Sequence, residues 1–412
     1  MPTLGNIIDA VDLLKVDPIS IDSDRCVVAR NRNSRCRRCV EACFADAISA
    51  RGNSVSVDGA SCVNCGACAS ACPTTAISMV SPAREQVDKR LERTSDRRTG
   101  MAVIVCSRRA AKEDGDPGRY AEVPCLAHVS DYQLVSLVSS GLDDVLLVDG
   151  DCGTCKLGGA SACVDDTVSS AASILEAVGS DAVITRCSEL PEEVVLPPEE
   201  RSRGRSRRGL ARQTGEYMRS VAGNVARRTL EERLSLGQAG RGSKGAIGWT
   251  GKLPKFAPDE NYALIDDMER IRDSADDAMT DPVQERPSDG FADDHADGHA
   301  GGNAHAGASF DSRRFGEVSI AASECSGCGI CVVNCPTKAL AFDEYGDPDD
   351  PERQLLEFSA SDCLQCMLCR DVCLKRCLEV SSRVTVGSVC DPAPRSIEVP
   401  KSHSAFAARL RG

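Results

Sequence analysis

Cysteine carries the chemistry of this chain. Cys325, Cys328, Cys331 and Cys335 follow the spacing C-x2-C-x2-C-x3-C, with Pro336 next. Three thiolates two residues apart can each hold one corner of a 4Fe-4S cubane, and the fourth, three residues on, points away to a second cubane. A single quartet is therefore incomplete. A partner run stands at Cys363, Cys366, Cys369 and Cys373. A second pair lies near the N-terminus, at Cys26, Cys36, Cys39 and Cys43 and then at Cys62, Cys65, Cys68 and Cys72 before Pro73. Zinc knuckles are the alternative chemistry, but zinc sites favour separated cysteine pairs.

These runs resemble the bacterial two-cluster ferredoxins, twice over. The resemblance implies α+β ferredoxin-like dicluster domains at both ends, over residues 1–82 and 313–383. It implies four 4Fe-4S clusters with crossed ligand sets. Cys62, Cys65 and Cys68 join Cys43, and Cys26, Cys36 and Cys39 join Cys72. In the C-terminal unit Cys325, Cys328 and Cys331 join Cys373, and Cys363, Cys366 and Cys369 join Cys335. The first quartet departs from the pattern, because nine residues separate Cys26 from Cys36. The insert is basic, with Arg30, Arg32 and Arg35, and reads either as a tolerated surface loop or as a docking lip for an acidic redox partner. Phe44 replaces the proline after Cys43. Gly66 and Gly329 sit between ligands, where backbone must approach inorganic sulfur closely. Cys377 falls at the repeat position of Ala47, Ala76 and Ala339, so it reads as a small packed residue rather than a ninth ligand.

Between these ends, residues 101–192 read as a central small α/β domain with a parallel sheet. Short apolar runs at 101–105, 121–123, 145–148 and 181–185 alternate with helical patterns at 129–138 and 165–177. Each run is followed by cysteine, at Cys106, at Cys125, at Cys152 with Cys155, and at Cys187. Strand ends of a parallel sheet share one edge, where such folds bind ligands. This unit resembles the iron–sulfur delta subunit of hydrogenase–heterodisulfide reductase complexes, through Val123-Pro-Cys125 and Val148-Asp-Gly-Asp-Cys152-Gly-Thr-Cys155. The resemblance implies a 2Fe-2S cluster on Cys106, Cys125, Cys152 and Cys155. Buried structural cysteines are the alternative, and Cys163 and Cys187 read that way, although Cys187 replaces one of the four if its strand is central.

The other segments must position or tether these units. Residues 3–16 have the spacing of a short amphipathic helix. Residues 83–100 read as a basic connector, 193–239 as a basic helical segment for protein contact rather than a membrane surface, and 240–312 as a disordered acidic linker. In that linker His295, His299 and His305 read as solvated. Residues 384–412 read as a polar tail in which Cys390 has no partner.

The 412 residues hold 24 cysteines, and no apolar run approaches the about 18 residues of a membrane span. The reading is a cytoplasmic protein in which thiolates hold metal. Aromatics are only 3% of residues, so large hydrophobic cores are not expected and metal ligation supplies folding free energy. A net charge of −13 argues against nucleic acid as partner. No nucleophile–base pair, phosphate loop or dinucleotide fingerprint stands out. The sequence thus points to a multi-cluster electron-transfer protein, a non-catalytic accessory or bridging subunit of an anaerobic oxidoreductase of the hydrogenase, heterodisulfide reductase or molybdoenzyme type. Its partners would be redox proteins. An iron–sulfur redox sensor or assembly factor is the alternative.

Overall fold

The computed structural model describes residues 18–95, 99–112, 114–197, 254–280, 305–343, 353–391 and 393–402, with no side chains described for 276–280. The helix expected at 3–16, nearly all of the basic segment, His295 and His299 lie outside these residues.

In the N-terminal unit, β1 (Ile19–Ile21) pairs antiparallel with β4 (Ile77–Met79), and β2 (Ile48–Arg51) pairs with β3 (Ser54–Val57). Single-turn helices, Arg38–Glu41 and Ala67–Ser70, carry the middle cysteines. The C-terminal unit repeats this plan, with β10 (Glu317–Ile320) on β13 (Leu378–Ser381) and β11 (Leu340–Phe342) on β12 (Arg353–Phe358). Left-handed backbone marks the repeat. The residue three after each last cysteine has positive φ, at Asp46, Thr75, Lys338 and Arg376. Asn64 and Gly66 flank Cys65 in the same way, as do Gly327 and Gly329 around Cys328, and Gln365 and Met367 around Cys366. Alternating hands turn successive N–H groups to one side and make an anion-binding hollow. The Cys36–Cys39 loop, beside the insert, lacks this alternation.

The middle domain is a four-stranded parallel sheet in the order β6 (Ala121–Val123), β5 (Met101–Cys106), β7 (Asp144–Val148), β8 (Val183–Cys187). The helix Asp131–Ser139 starts at a capping box of Ser130 with Gln133. The chain leaves β5 toward β6 but returns on the other side as β7, so the switch point lies beyond the ends of β5 and β7.

Four expectations need correction. The acidic stretch contains a 22-residue helix, Asp259–Thr280, in which Leu264, Ile265, Met268 and Ile271 are buried, and it packs on the helix Asp131–Ser139. One apolar stripe outweighs an acidic average composition. The basic connector contains the helix Arg84–Thr94, with Val87 and Leu91 buried in the same core as the middle domain. The tail also folds. β14 (Arg383–Thr385) pairs with β9 (Ser309–Asp311), a capped helix follows at Val386–Cys390, and β15 (Arg395–Pro400) adds to β12. Finally, one core runs from Ala67 through the middle domain to Val399. It is built mostly from Val, Ala, Leu and Ile around Phe310, Phe315 and Phe358, so scarcity of aromatics did not limit it.

Candidate metal centres

Three cavities in the ferredoxin-like units are each ringed by a crossed cysteine set. One is lined by Cys43, Cys62, Cys65 and Cys68, one by Cys325, Cys328, Cys331 and Cys373, and one by Cys335, Cys363, Cys366 and Cys369. The fourth set shows in its mutual electrostatics. Burial, then Cys72, Cys36 and Cys26, push the Cys39 thiol up to about 12. Burial and then Cys325 and Cys328 push Cys331 up to about 12, with a further contribution from Cys373. Burial and then Cys335 raise Cys366. The crossing follows from the backbone: each triplet wraps one hollow, and the short helix behind it carries the fourth thiol to the other side.

Four thiols in one apolar hollow stay protonated unless cationic charge stands among them. The backbone offers part of the compensation. Gly327 N–H points at Cys325 Sγ at 3.4 Å and Ala47 N–H at Cys43 Sγ at 3.3 Å. Similar main-chain hydrogen bonds, from Ala67 to Cys65 and from Leu368 to Cys366, lower those thiols against the rise that burial imposes.

The donor set fits a cluster better than a single ion. Sulfurs around one zinc stand about 3.8 Å apart, given Zn–S of about 2.3 Å. Among the described residues no three ligating groups converge closely enough for one ion. An orphaned cation gives independent support. Arg30 is buried, and its Nε and Nη2 have no hydrogen-bond partner, as expected beside an anionic group.

The middle domain brings Cys106, Cys125, Cys152 and Cys155 around a further cavity, past the ends of β5, β6 and β7, together with Arg108, Asp149 and Arg186. Burial, then Cys65, Cys106 and Cys152, push Cys125 up to about 11. Arg186 Nη2 approaches Cys152 Sγ at 3.7 Å while its Nε donates to Asp149 at 2.8 Å. Cys187 does not join, because β8 is an edge strand and its thiol donates to Glu189 O at 3.4 Å. Cys163 is buried against Ala67 O at 3.8 Å. His305 lies against Gly179, where a side chain would collide with its ring.

Cys377 occupies the small-residue position, yet its sulfur stands 3.6 Å from Cys373 Sγ and lines the same cavity. The glycines also have a second reason. A Cβ on Gly66 would meet His128 at 2.9 Å, and one on Gly327 would meet Pro400 O at 1.8 Å. Neighbouring protein, as well as the cavity, excludes a side chain at these loops.

The basic insert is not a free loop, because its first half packs inside the protein while Arg32 and Arg35 stay exposed. Its residues Val27–Arg30 form a helical turn whose Val27 is buried with Leu368 and Val372, beside Cys36, Ile330 and Cys366. Asn31 Nδ2 donates to Asn334 Oδ1 at 2.8 Å, and Arg38 donates to Gln365 Oε1 at 2.5 Å and to Arg313 O at 3.1 Å. The insert thus docks one ferredoxin-like unit on the other. Lys255 laces the same seam, donating to Val332 O, Val333 O and Cys335 O. His128 joins the middle domain to the N-terminal unit. Burial pushes it down to about 4, so it is neutral, and a carbonyl partner at Asn64 O, 3.1 Å away, assigns the proton to Nε2. Arg314 joins the third seam, bonded to buried Asp131 at 2.5 Å and to Glu260 at 2.7 Å, while Glu260 also meets Arg84. Local sequence pattern carries no signal for these contacts, which link residues far apart in the chain.

The family model for a 4Fe-4S dicluster domain matches residues 33–76 and again 324–377. The first match begins after Cys26, the cysteine that the insert separates from its set. Neither a curated protein nor a solved structure matches the chain. Both ends are therefore of ferredoxin type, carrying 4Fe-4S clusters. Among the described residues no helix is long and apolar enough to cross a membrane.

Proposed function

We propose that the chain is a redox conduit with five cluster sites in line, serving as a bridging subunit of an anaerobic oxidoreductase. Four sites would hold 4Fe-4S clusters on the crossed cysteine sets, and Cys106, Cys125, Cys152 and Cys155 would hold a 2Fe-2S cluster as in the delta-subunit family. Bound clusters would supply the one-electron chemistry; the chain spaces, buries and charges the sites. One observation carries this reading. Consecutive sites are close enough for their thiols to act on each other. Cys125 feels Cys65, Cys68 feels Cys39, Cys366 feels Cys36, and Cys369 feels Cys331. That series runs from the middle domain through the N-terminal unit to the far end of the C-terminal unit without a gap.

The two ends suit different partners. At the far end Leu374 is 78% exposed beside Cys373, at a surface hollow where Arg32, Arg35, Arg370 and Arg376 are exposed. An apolar tip within a basic rim favours an acidic redox protein. The crevice in the middle domain is the opposite terminus. Cytoplasmic placement follows from the number of thiols that must stay reduced.

Iron and acid-labile sulfide in anaerobically reconstituted protein test the proposal. Roughly 16 iron atoms are expected on the four sets and about 2 more in the middle domain. Stoichiometric zinc, or about 4 iron atoms per chain, contradicts it.

A further inference from the structure

Four buried side-chain polar atoms among the described residues lack a hydrogen-bond partner, and two of them belong to Arg30. Only Nη1 is engaged, donating to Asp24 O at 2.5 Å. The residue ends the helical turn made by the insert and is 9% exposed. One turn earlier, Val27 sits against Leu368 and Val372 beside Cys366. Asn31, the next residue, is tied to Asn334, next to Cys335. The guanidinium is thus held over the junction, on the side of the cavity lined by Cys335, Cys363, Cys366 and Cys369. Arginine keeps its charge in proteins, and a buried cation with free N–H groups needs an anion. The Asp24 carboxylate acts on it from a distance, but no carboxylate bonds its Nε or Nη2. Its electrostatic neighbours besides Asp24 are Cys366 and Cys335.

We propose that Arg30 is the built-in counter-cation of the cluster held by Cys335, Cys363, Cys366 and Cys369, and that it raises the reduction potential of that site. This rests on the cluster assignment above. The physical reason is direct. Reduction adds one negative charge to the site, and a fixed cation in a low-dielectric surrounding favours the more negative state. Lys255 adds to the field, since it binds Cys335 O and shares the seam with Arg30. Arg38 lies between Cys36 and Cys366 and extends the positive strip. The first electron to arrive from either end would settle at the seam between the two ferredoxin-like units. Arg30 is a positioning residue, supplied by the insert that separates Cys26 from Cys36.

The test is an anaerobic redox titration of the full-length, cluster-loaded protein by electron paramagnetic resonance. Wild type is compared with Arg30→Met and Arg30→Lys, and the signal of the site is assigned by its loss in Cys366→Ser. Arg30→Met should change the oxidised-to-reduced ratio of that one signal at fixed poise by about tenfold, a fall of about 59 mV for one electron. Arg30→Lys should keep most of the wild-type value. Iron content is measured in every sample. Wild type without clusters would overturn the function proposed above. Clusters present with an unmoved signal in Arg30→Met would overturn only the role of Arg30. If Arg30→Met cannot load that site but Arg30→Lys can, the need for charge stands. If both lose it, Arg30 is merely structural and the inference fails.

Discussion

Arg314→Met should loosen the seam among the middle domain, the helix Asp259–Thr280 and the C-terminal unit. The side chain of Asp131 is 5% exposed and that of Glu260 is 23% exposed, and both face Arg314. Glu260 keeps Arg84 when Arg314 is gone. Asp131 keeps hydrogen bonds from Ser170 Oγ and Tyr132 N, each at 2.9 Å, and the charge of Arg313. Most of the loss therefore falls on Asp131, and breaking such a buried pair costs about 3–5 kcal/mol. At about 1.36 kcal/mol per tenfold, amide exchange in the helix should quicken by about two to almost four decades. The pH dependence carries a sign. In the wild type burial raises the Asp131 carboxyl, but Arg314 outweighs it and the net value lies below 3.8. Its stabilising contribution is full above the unfolded value and fades as pH falls through the folded one. Without Arg314 burial is opposed only by the charge of Arg313 and the Ser170 hydrogen bond, and the folded value is expected to rise above the unfolded one. The penalty then grows as pH rises through that folded value and shrinks toward acid pH. Hydrogen exchange with mass spectrometry, corrected for intrinsic rates, measures both effects, and Arg314→Met with Asp131→Asn should recover much of the loss. A change below fivefold, or a penalty equal at acid and neutral pH, would refute the reasoning.

Two further outcomes are expected. Cys335→Ala should damage the site on Cys363, Cys366 and Cys369 and spare the one on Cys325, Cys328 and Cys331; site-resolved spectroscopy that finds the reverse removes the crossed sets. Leu374→Glu should slow reduction by an acidic ferredoxin used as probe, most at low salt, and stopped-flow rates that neither fall nor depend on salt place the contact elsewhere.

What was legible in the sequence was local. Cysteine spacing dictates which thiols share a hollow, and apolar runs between turn residues gave the four parallel strands. The stripe Leu264, Ile265, Met268 and Ile271 was also present, but Asp and Glu hid it from a reading by composition. The same holds for Val87 with Leu91 and for alternation in Ser396-Ile397-Glu398-Val399. The insert was legible as an insertion and not as an interface, since Val27 gains its meaning from Leu368 and Val372. Arg30, Lys255, His128 and Arg314 act across domain seams, where one-dimensional pattern carries no signal. The proximity of Cys377 to Cys373 was likewise hidden behind a repeat position that elsewhere holds alanine.

Contiguity of the five sites is the central claim, and spin coupling tests it most directly. Fully reduced, cluster-loaded protein should give an electron paramagnetic resonance spectrum broadened by interaction between sites, integrating to about five spins per chain. Val27→Asp, which places a charge in the seam between the ferredoxin-like units, should remove the coupling between those units and leave the spin count. Separate, uncoupled signals in the wild type, or about two spins per chain, would contradict a continuous conduit.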